Sequence, residues 1–168
     1  MKDIHPTYFI RETRLEEVAD LFNLVKKLAE YEKLLADVSA SAELFRKNGF
    51  GEKSYFQSLL VENKVQSEAR YLGFALYFFT FSTFLGKPTL YLEDLFVLPE
   101  YRGRGIGKSL LKTLARVAME RDCGRMEWSV LNWNKPAIDF YLTLHAKPME
   151  EWTVYRLTAP DIKTLASQ

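Results

Sequence analysis

Apolar residues along this chain recur with two spacings, one typical of helices and one typical of strands. Between residues 15 and 31 they recur every three or four positions, which predicts an amphipathic helix with Thr13 and Glu16 as its capping box. Similar patterns predict helices at residues 41–47, 108–121 and 160–166, and Asn134 with Pro136 marks the start of another. Runs dense in aromatic and aliphatic residues predict strands at residues 8–11, 55–62, 71–81, 90–97, 126–131 and 152–158.

This order of elements predicts one α/β domain over residues 1–168. No repeat, linker or low-complexity tract interrupts the pattern, and one mixed sheet with helices on both sides accommodates it. The length of 168 residues suits a single domain. A hydrophobic fraction of 48%, with 12 Phe and 9 Tyr, supplies enough material for one core.

Charge and composition exclude several classes of protein. The 23 basic and 22 acidic residues leave a net charge of +1, which argues against an extended nucleic-acid surface. A single cysteine excludes an internal disulfide, and two histidines leave no metal cluster, so we expect no metal. The most apolar stretch, residues 72–81, is too short to cross a membrane, and no signal-peptide pattern opens the chain. We therefore expect a soluble cytoplasmic protein with no membrane partner.

A glycine-rich loop, Arg102-Gly103-Arg104-Gly105-Ile106-Gly107, joins a predicted strand to a predicted helix. Its alternate glycines allow a tight turn and a close approach of the backbone to a ligand. The N–H groups at the start of the next helix have no intrahelical partner, and the helix dipole there favours negative charge. The loop therefore predicts a phosphate site, and the plain alternative is a turn that only joins two elements.

Three phosphate-loop patterns compete for this segment. A dinucleotide loop, G-x-G-x-x-G, needs a glycine where Lys108 stands, and a Walker A loop needs one where Arg102 stands. The pattern R-x-x-G-x-G is matched by Arg102, Gly105 and Gly107. This match resembles the pyrophosphate loop of the GNAT acetyltransferase superfamily, which binds acetyl-CoA. A P-loop nucleotide-binding protein and a degenerate acetyl-CoA-binding module without turnover remain the alternatives.

The resemblance extends over nearly the whole chain, because motifs of spermidine/spermine N-acetyltransferases are matched at residues 28–32, 48–51, 91–94, 99–103, 133–137 and 140–141. It implies a GNAT fold with a mixed, mostly antiparallel sheet flanked by helices, and a homodimer. It also implies direct acetyl transfer from acetyl-CoA to a primary amine of a diamine or polyamine. Residues 28–34 and Ser82-Thr83 resemble the thialysine branch at least as well, so a lysine-like amino acid is the alternative substrate. Lys87 or Arg104 could then hold its carboxylate.

The resemblance also implies which residues contact acetyl-CoA. The backbone of Leu95, Phe96 and Val97 would face the pantetheine arm, with an N–H near Phe96 or Val97 holding the oxyanion. Further along the strand-loop-helix segment, the pyrophosphate would lie against Arg102, Gly103, Arg104, Gly105, Ile106, Gly107 and Lys108. The implied contacts in the last part of the chain are Asn134, Lys135, Pro136, Ala137 and Tyr141.

Acetyl transfer to an amine needs an acid, a base and acidic groups that attract the cation. Tyr141 is the candidate acid, because a phenol of pKa near 10 is protonated at neutral pH and can protonate a thiolate. By resemblance Glu93 is the base, acting through water, and Asp94 contacts the cationic substrate, although the two roles could be reversed. A structural surface or core role is the plain alternative at each site. The other residues implied to contact the amine are Tyr31, Glu32, Glu127, Trp128, Ser129 and Glu151.

Overall fold

The computed structural model describes residues 2–65 and 68–168, and the chain divides into two compact units. The first unit ends at Ser129 and the second runs from Val130 to Gln168. One domain over residues 1–168 stays a prediction.

The first unit contains a sheet of six strands that are neighbours in chain order. All neighbouring strands are antiparallel except the last two, which are parallel. The mixed, mostly antiparallel sheet is therefore confirmed. The strands are β1 (Lys2–Ile4), β2 (Tyr8–Glu12), β3 (Gln57–Asn63), β4 (Tyr71–Ser82), β5 (Lys87–Val97) and β6 (Arg125–Trp128).

Helices lie on both faces of this sheet, as predicted. On β2, Tyr8 hydrogen-bonds Ser109 of one helix, whereas Arg11 contacts Glu17 at the start of another. Residues an odd number apart on a strand point to opposite faces, so these two helices cover opposite faces. The helices of the first unit are α1 (Val18–Tyr31), α2 (Ala42–Phe50) and α3 (Ile106–Glu120), and those of the second are α4 (Lys135–Thr143) and α5 (Ala159–Ala166).

The core of the first unit follows from the sequence pattern. Strand β4 is buried over seven consecutive residues, 71–77, because helices cover it on both sides. The apolar stripe of α1 and that of α3 complete the core from the two faces. Its fully buried large side chains include Ile10, Val18, Leu21, Leu59, Leu60, Phe74, Leu90, Leu92, Leu110 and Leu114.

The predicted capping box at Thr13 is wrong. Helix α1 is preceded by a 3-10 turn at Leu15–Glu17, and the Glu17 carboxylate accepts the N–H of Arg14 at 2.9 Å. Thr13 is buried instead, and its Oγ1 accepts a hydrogen bond from Ser58 Oγ at 2.8 Å. The neighbouring strand therefore provides Thr13 with a partner that no local pattern reveals.

Three other features differ from the predictions. Strand β5 begins at Lys87 rather than at residue 90, after a turn at residues 83–86, and the short strand β1 was not predicted. Residues 152–158 form no strand, and Val154 and Tyr155 are 84% and 91% exposed. A strand needs a hydrogen-bonded neighbour, and the structure describes no other strand in the second unit.

Among the described residues, no helix has the length and apolar character that a membrane span requires.

Candidate active site

The glycine-rich loop adopts the geometry that its sequence predicts. Gly103 and Gly105 have φ angles of 73° and 78°, in the left-handed region where glycine is favoured. Gly105 is the N-cap of α3, so the N–H groups of Ile106, Gly107 and Lys108 open the helix without an intrahelical partner. The loop therefore presents backbone donors and the positive end of a helix dipole, which suit a pyrophosphate.

Strands β5 and β6 are paired over only four positions. Their pairing ends at Leu92 and Trp128, whereas β5 continues to Val97. On the β4 side the register shifts at the same point, so that Glu93 is an extra residue between the paired positions Leu92 and Asp94. Bulges of this kind bend a strand and commonly lie beside active sites. The last residues of β5 thus have one edge that no described strand covers.

The direction of the peptide groups on that edge follows from the ladder. Leu98 donates its N–H to the carbonyl of Leu72 at 2.9 Å, and hydrogen-bonded pairs alternate along an antiparallel ladder. The N–H groups of Asp94 and Phe96 therefore face β4, and those of Leu95 and Val97 face the open edge. Of the two oxyanion donors predicted from the sequence, Val97 faces the open edge and Phe96 faces β4.

Three carboxylates act on one another here: the charges of Glu32, at the end of α1, and of Glu93, on β5, both act on Asp94, also on β5. Asp94 is half-buried, and burial, followed by the charges of Glu93 and Glu32, raises its pKa to about 7. Burial also raises the pKa of Glu32. At neutral pH Asp94 therefore exchanges a proton readily, as a general base requires. Glu93, on the bulge, is exposed. We call Glu32, Glu93 and Asp94 the acidic site.

The end of α1 is held in place by backbone geometry. Glu32 donates its N–H to the carbonyl of Leu28 at 2.9 Å, and Lys33 adopts a left-handed φ of 62°. Leu34 then donates to the carbonyl of Ala29 at 2.8 Å, which ends the helix in a Schellman-type turn. Tyr31, one residue before Glu32, places its ring 4.3 Å from the guanidinium carbon of Arg102.

The predicted residues of β6 lie where this strand leaves β5. Glu127 pairs with Arg125 at 3.0 Å, which offsets part of its charge. Trp128 lies opposite Leu92, the last paired residue of β5. Ser129 Oγ is 3.0 Å from the hydroxyl of Tyr91. These three residues thus lie where the pairing of β5 and β6 ends, and their contact with the amine stays a prediction.

The second unit carries the remaining predicted residues. Asn134 is buried and caps α4, and its Oδ1 accepts the N–H of Ala137 at 3.4 Å. The predicted helix start is therefore confirmed. His145, at the end of α4, has a left-handed φ of 61°, in the region where glycine is favoured. Elsewhere in this unit, Lys135 pairs with Asp139 at 3.1 Å, Pro136 and Tyr141 lie on α4, and exposed Glu151 lies outside any helix or strand.

Each cation suggested for a substrate carboxylate has contacts of its own, and none of those described is with the acidic site. Lys87 begins β5, seven residues from Asp94, and pairs with Asp122 at 2.7 Å. At about 3.3 Å per residue this separation is roughly 20 Å. Arg104 stacks on Tyr101, with 5.1 Å to the ring centre, and donates to the carbonyl of Glu100. The described part of the acidic site is therefore suited to cations rather than to anions.

Sequence reasoning missed two features of the site. It did not predict the bulge at Glu93, although two adjacent acids in a strand were its signal, because acidic residues are rare in strand interiors. It also missed the contact between Arg102 and Tyr31, for which the sequence carries no signal.

Comparison with known proteins defines the class. A family model for GNAT acetyltransferases matches residues 20–145, and the chain belongs to this family. It is 38% identical to thialysine N-epsilon-acetyltransferase of Sus scrofa, over 95% of this chain and 97% of the relative. It is also 32% identical to the human spermidine/spermine N(1)-acetyltransferase-like protein 1, over 99% of this chain and 25% of that protein. An integron cassette protein of V. cholerae has a similar structure, with a TM-score of 0.78 and 28% identity over 95% of this chain and 97% of that one.

The protein is therefore an acyltransferase of the GNAT family, whose members use acetyl-CoA as co-substrate. The residues present fit that molecule. Gly103 and Gly105, with left-handed φ angles, shape the loop, and the start of α3 offers donors for a pyrophosphate. The N–H groups of Leu95 and Val97 point to the open edge of β5.

Proposed function

We propose that this protein acetylates a primary amine of a small cationic molecule. The substrate need not carry a negative charge near that amine. A lysine-like amino acid such as thialysine is the first candidate, and a diamine or polyamine such as spermidine is the second. The proposal rests on one observation. Asp94, which is half-buried and has a raised pKa, lies with Glu32 and Glu93 beside the backbone donors at the open edge of β5.

The acidic site suits the amine in two ways. Its carboxylates attract a cation, and Asp94 can then take a proton from it. An alkyl amine has a pKa near 10.4, so only about one molecule in 10³ is unprotonated at neutral pH. A carboxylate of pKa about 7 is a better proton acceptor than one of ordinary pKa. We therefore assign the base to Asp94 and attraction of the cation to Glu93 and Glu32.

The open edge of β5 suits the acyl group. The N–H groups of Leu95 and Val97 can donate to a carbonyl oxygen placed against that edge, and a donor of this kind contributes about 3 kcal/mol to catalysis. When bound, acetyl-CoA supplies an activated acetyl group. Tyr141 is proposed as the acid that protonates the leaving thiolate, on its place in the family motif on α4.

Two relatives favour different amines. The relative at 38% identity is a thialysine acetyltransferase, and this places the amino acid first. The second relative is named for spermidine and spermine, and a site of three carboxylates also suits a polycation. A homodimer is proposed as well, and the mass of the protein in solution tests it.

The test is the rate of CoA release from acetyl-CoA with thialysine, lysine and spermidine in parallel. A clear preference for thialysine supports the first candidate, and a preference for spermidine supports the second. Failure with all three amines, while acetyl-CoA still binds, would contradict the proposed substrate class.

Matched variants separate the proposed roles. Tyr141→Phe removes only the hydroxyl, and we expect kcat to fall about 100-fold, the size of a lost acid catalyst. Asp37→Asn changes an exposed carboxylate that is not a member of the acidic site and should leave kcat unchanged. An unchanged rate in Tyr141→Phe would refute the assignment of the acid.

A further inference from the structure

Arg102 is the first residue of the glycine-rich loop, residues 102–107, which we call the phosphate loop for its proposed ligand, yet its side chain turns toward the protein. Its backbone N–H donates to the carbonyl of Pro99 at 3.2 Å, which closes a 3-10 turn. Its Nε donates to the carbonyl of Val97 at 2.9 Å. Because Val97 C=O and N–H both lie on the open edge of β5, this bond holds the strand end that carries the proposed acyl-group donors.

The same guanidinium packs on two aromatic rings. Its carbon lies 4.3 Å from the centre of the Tyr31 ring and 5.6 Å from that of Phe96. Tyr31 precedes Glu32 on α1, and Phe96 follows Asp94 by two residues on the same face of β5. One side chain thus contacts the end of α1 and the end of β5, the two segments that carry the acidic site.

Arg102 is not the ion-pair partner of the acidic site. The salt bridges among the described residues include none between Arg102 and Glu32, Glu93 or Asp94. The charges that act on Asp94 are those of Glu93 and Glu32. The planar fork of arginine explains this use, because one edge can donate to a carbonyl while the face stacks on a ring.

We propose that the Arg102 side chain is a positioning residue for acetyl transfer, one that ties the phosphate loop to Val97 and Tyr31 and so aligns the acyl-group donors with the acidic site. This inference rests on the acetyl transfer proposed above. It differs from the simpler view in which the guanidinium attracts phosphate by its charge alone.

Three substitutions separate the two views. Arg102→Gln removes the charge but keeps an N–H donor that can reach Val97. Arg102→Lys keeps the charge but loses the planar fork. Arg102→Met keeps an apolar stem of similar reach and loses the donors.

We expect Arg102→Gln to keep kcat within about fivefold of the wild type, the size of a lost exposed cation–π contact. Arg102→Lys and Arg102→Met should lower kcat by about tenfold to 100-fold, as misplacement of catalytic groups does. The matched control is Arg121→Met, because Arg121 stacks on Phe79 at 5.7 Å at the far end of α3 and should not affect kcat. Preserved kcat and KM in Arg102→Lys, with loss in Arg102→Gln, would overturn the proposal in favour of charge.

Hydrogen exchange of the peptide that spans residues 94–98 provides a readout that needs no turnover. The N–H groups of Asp94, Phe96 and Leu98 bond to β4, and their exchange reports how firmly the strand end is held. Exchange should be faster in Arg102→Met and close to wild type in Arg102→Gln. Unchanged exchange in Arg102→Met would overturn the inference, whereas a wild type inactive on every amine would overturn the proposed substrate and leave this test intact.

Discussion

Helix α1 has carboxylates at both ends, and the two ends are built in opposite ways. At its start, Glu17 is 2% exposed and has four hydrogen-bond donors around it. At its end, Glu32 lies near Glu93 and Asp94, and no described cation pairs with these three carboxylates. The pKa of Glu17 is lowered to about 2, and that of Asp94 is raised to about 7.

The pKa values of Glu17 and Asp94 differ because the two carboxyl groups have different partners, since both are removed from water. Arg11 donates to Glu17 through both terminal nitrogens, at 2.6 and 2.8 Å, and through Nε to Glu62 at 2.8 Å. The hydroxyl of Tyr71 adds a bond of 2.7 Å to Glu17. These donors outweigh the cost of burial, so Glu17 stays ionised. Asp94 has like charges as neighbours, so burial prevails.

The helix dipole increases this contrast. A negative charge is favourable at the N-terminal end of a helix, where Glu17 lies, and unfavourable at the C-terminal end, where Glu32 lies. The start of α1 is therefore built for stability, and its end accepts unfavourable charge as a site for a cation would.

The largest expected effect comes from breaking the stable cluster. Glu17→Gln leaves the buried Arg11 without its bidentate partner, and we expect a loss of about 3–5 kcal/mol in the free energy of unfolding. Urea unfolding at pH 7 measures it, with exposed Glu16→Gln as the control. The folded pKa of Glu17 lies below its ordinary value of 4.5, so its contribution is present above that pH and is lost as the pH falls toward 2. A loss under about 1 kcal/mol would contradict this reading.

The second prediction concerns the activity of Asp94. Asp94→Asn removes the proposed base, and kcat/KM at pH 7 should fall about 100-fold. The pH dependence of the wild type should show an acid limb near pH 7 in kcat/KM, because the base must be unprotonated. Retention of full activity by Asp94→Asn would transfer the role to Glu93.

The same substitution should stabilise the fold, in contrast to Glu17→Gln. The pKa of Asp94 in the folded state lies above its ordinary value of 3.8, so ionisation of this group is less favourable in the folded protein than in the unfolded chain. The free energy of unfolding is therefore highest below pH 3.8 and falls as the pH rises through about 7. At pH 8 the melting temperature of Asp94→Asn should exceed that of the wild type by about 4 °C or more. Scanning calorimetry at pH 8 and pH 5 measures the difference, which should be smaller at pH 5. An unchanged melting temperature at pH 8 would show that ionised Asp94 does not destabilise the fold.

A smaller effect is expected from Glu32→Gln. It removes one of the two charges that raise the pKa of Asp94. The acid limb of kcat/KM should therefore move to lower pH, by up to about one unit. Glu43→Gln, an exposed change on α2, is the control and should leave the limb in place. A shift to higher pH would contradict the assigned electrostatics.

The smallest effect concerns the backbone at the end of α1. Lys33 has a left-handed φ of 62°, so Lys33→Gly should raise the free energy of unfolding by up to about 1 kcal/mol. Lys27→Gly, an exposed change inside the same helix, should lower it by about 1 kcal/mol. Equal signs for the two changes would refute the argument.

The glycine-rich loop was the most predictable part of the candidate site. Its geometry depends on a short run of glycines and on the helix that follows, and both are local features that the sequence states directly. Gly103 and Gly105 have the left-handed angles that glycine permits, and Asn134 caps α4 as predicted. The same holds for most strands and helices, because their apolar periodicity is also local.

Predictions failed where a partner from elsewhere in the chain was needed. Thr13 is not a cap, because Ser58 of β3 bonds to it. Residues 152–158 have a strand pattern but no described strand beside them, so they remain irregular. The pairing of Arg102 with Tyr31 joins segments far apart in sequence.

The sequence by itself determined the family, most of the elements and the glycine-rich loop, because periodicity and glycine geometry act over a few residues. The tertiary structure decided which carboxylates share an environment. Glu17 and Asp94 are the same kind of group in the sequence, and only the sheet brings Arg11 to one and Glu32 to the other. Electrostatic and burial energies depend on distance through space, and this is why one carboxylate stabilises the fold while the other is suited to accept a proton.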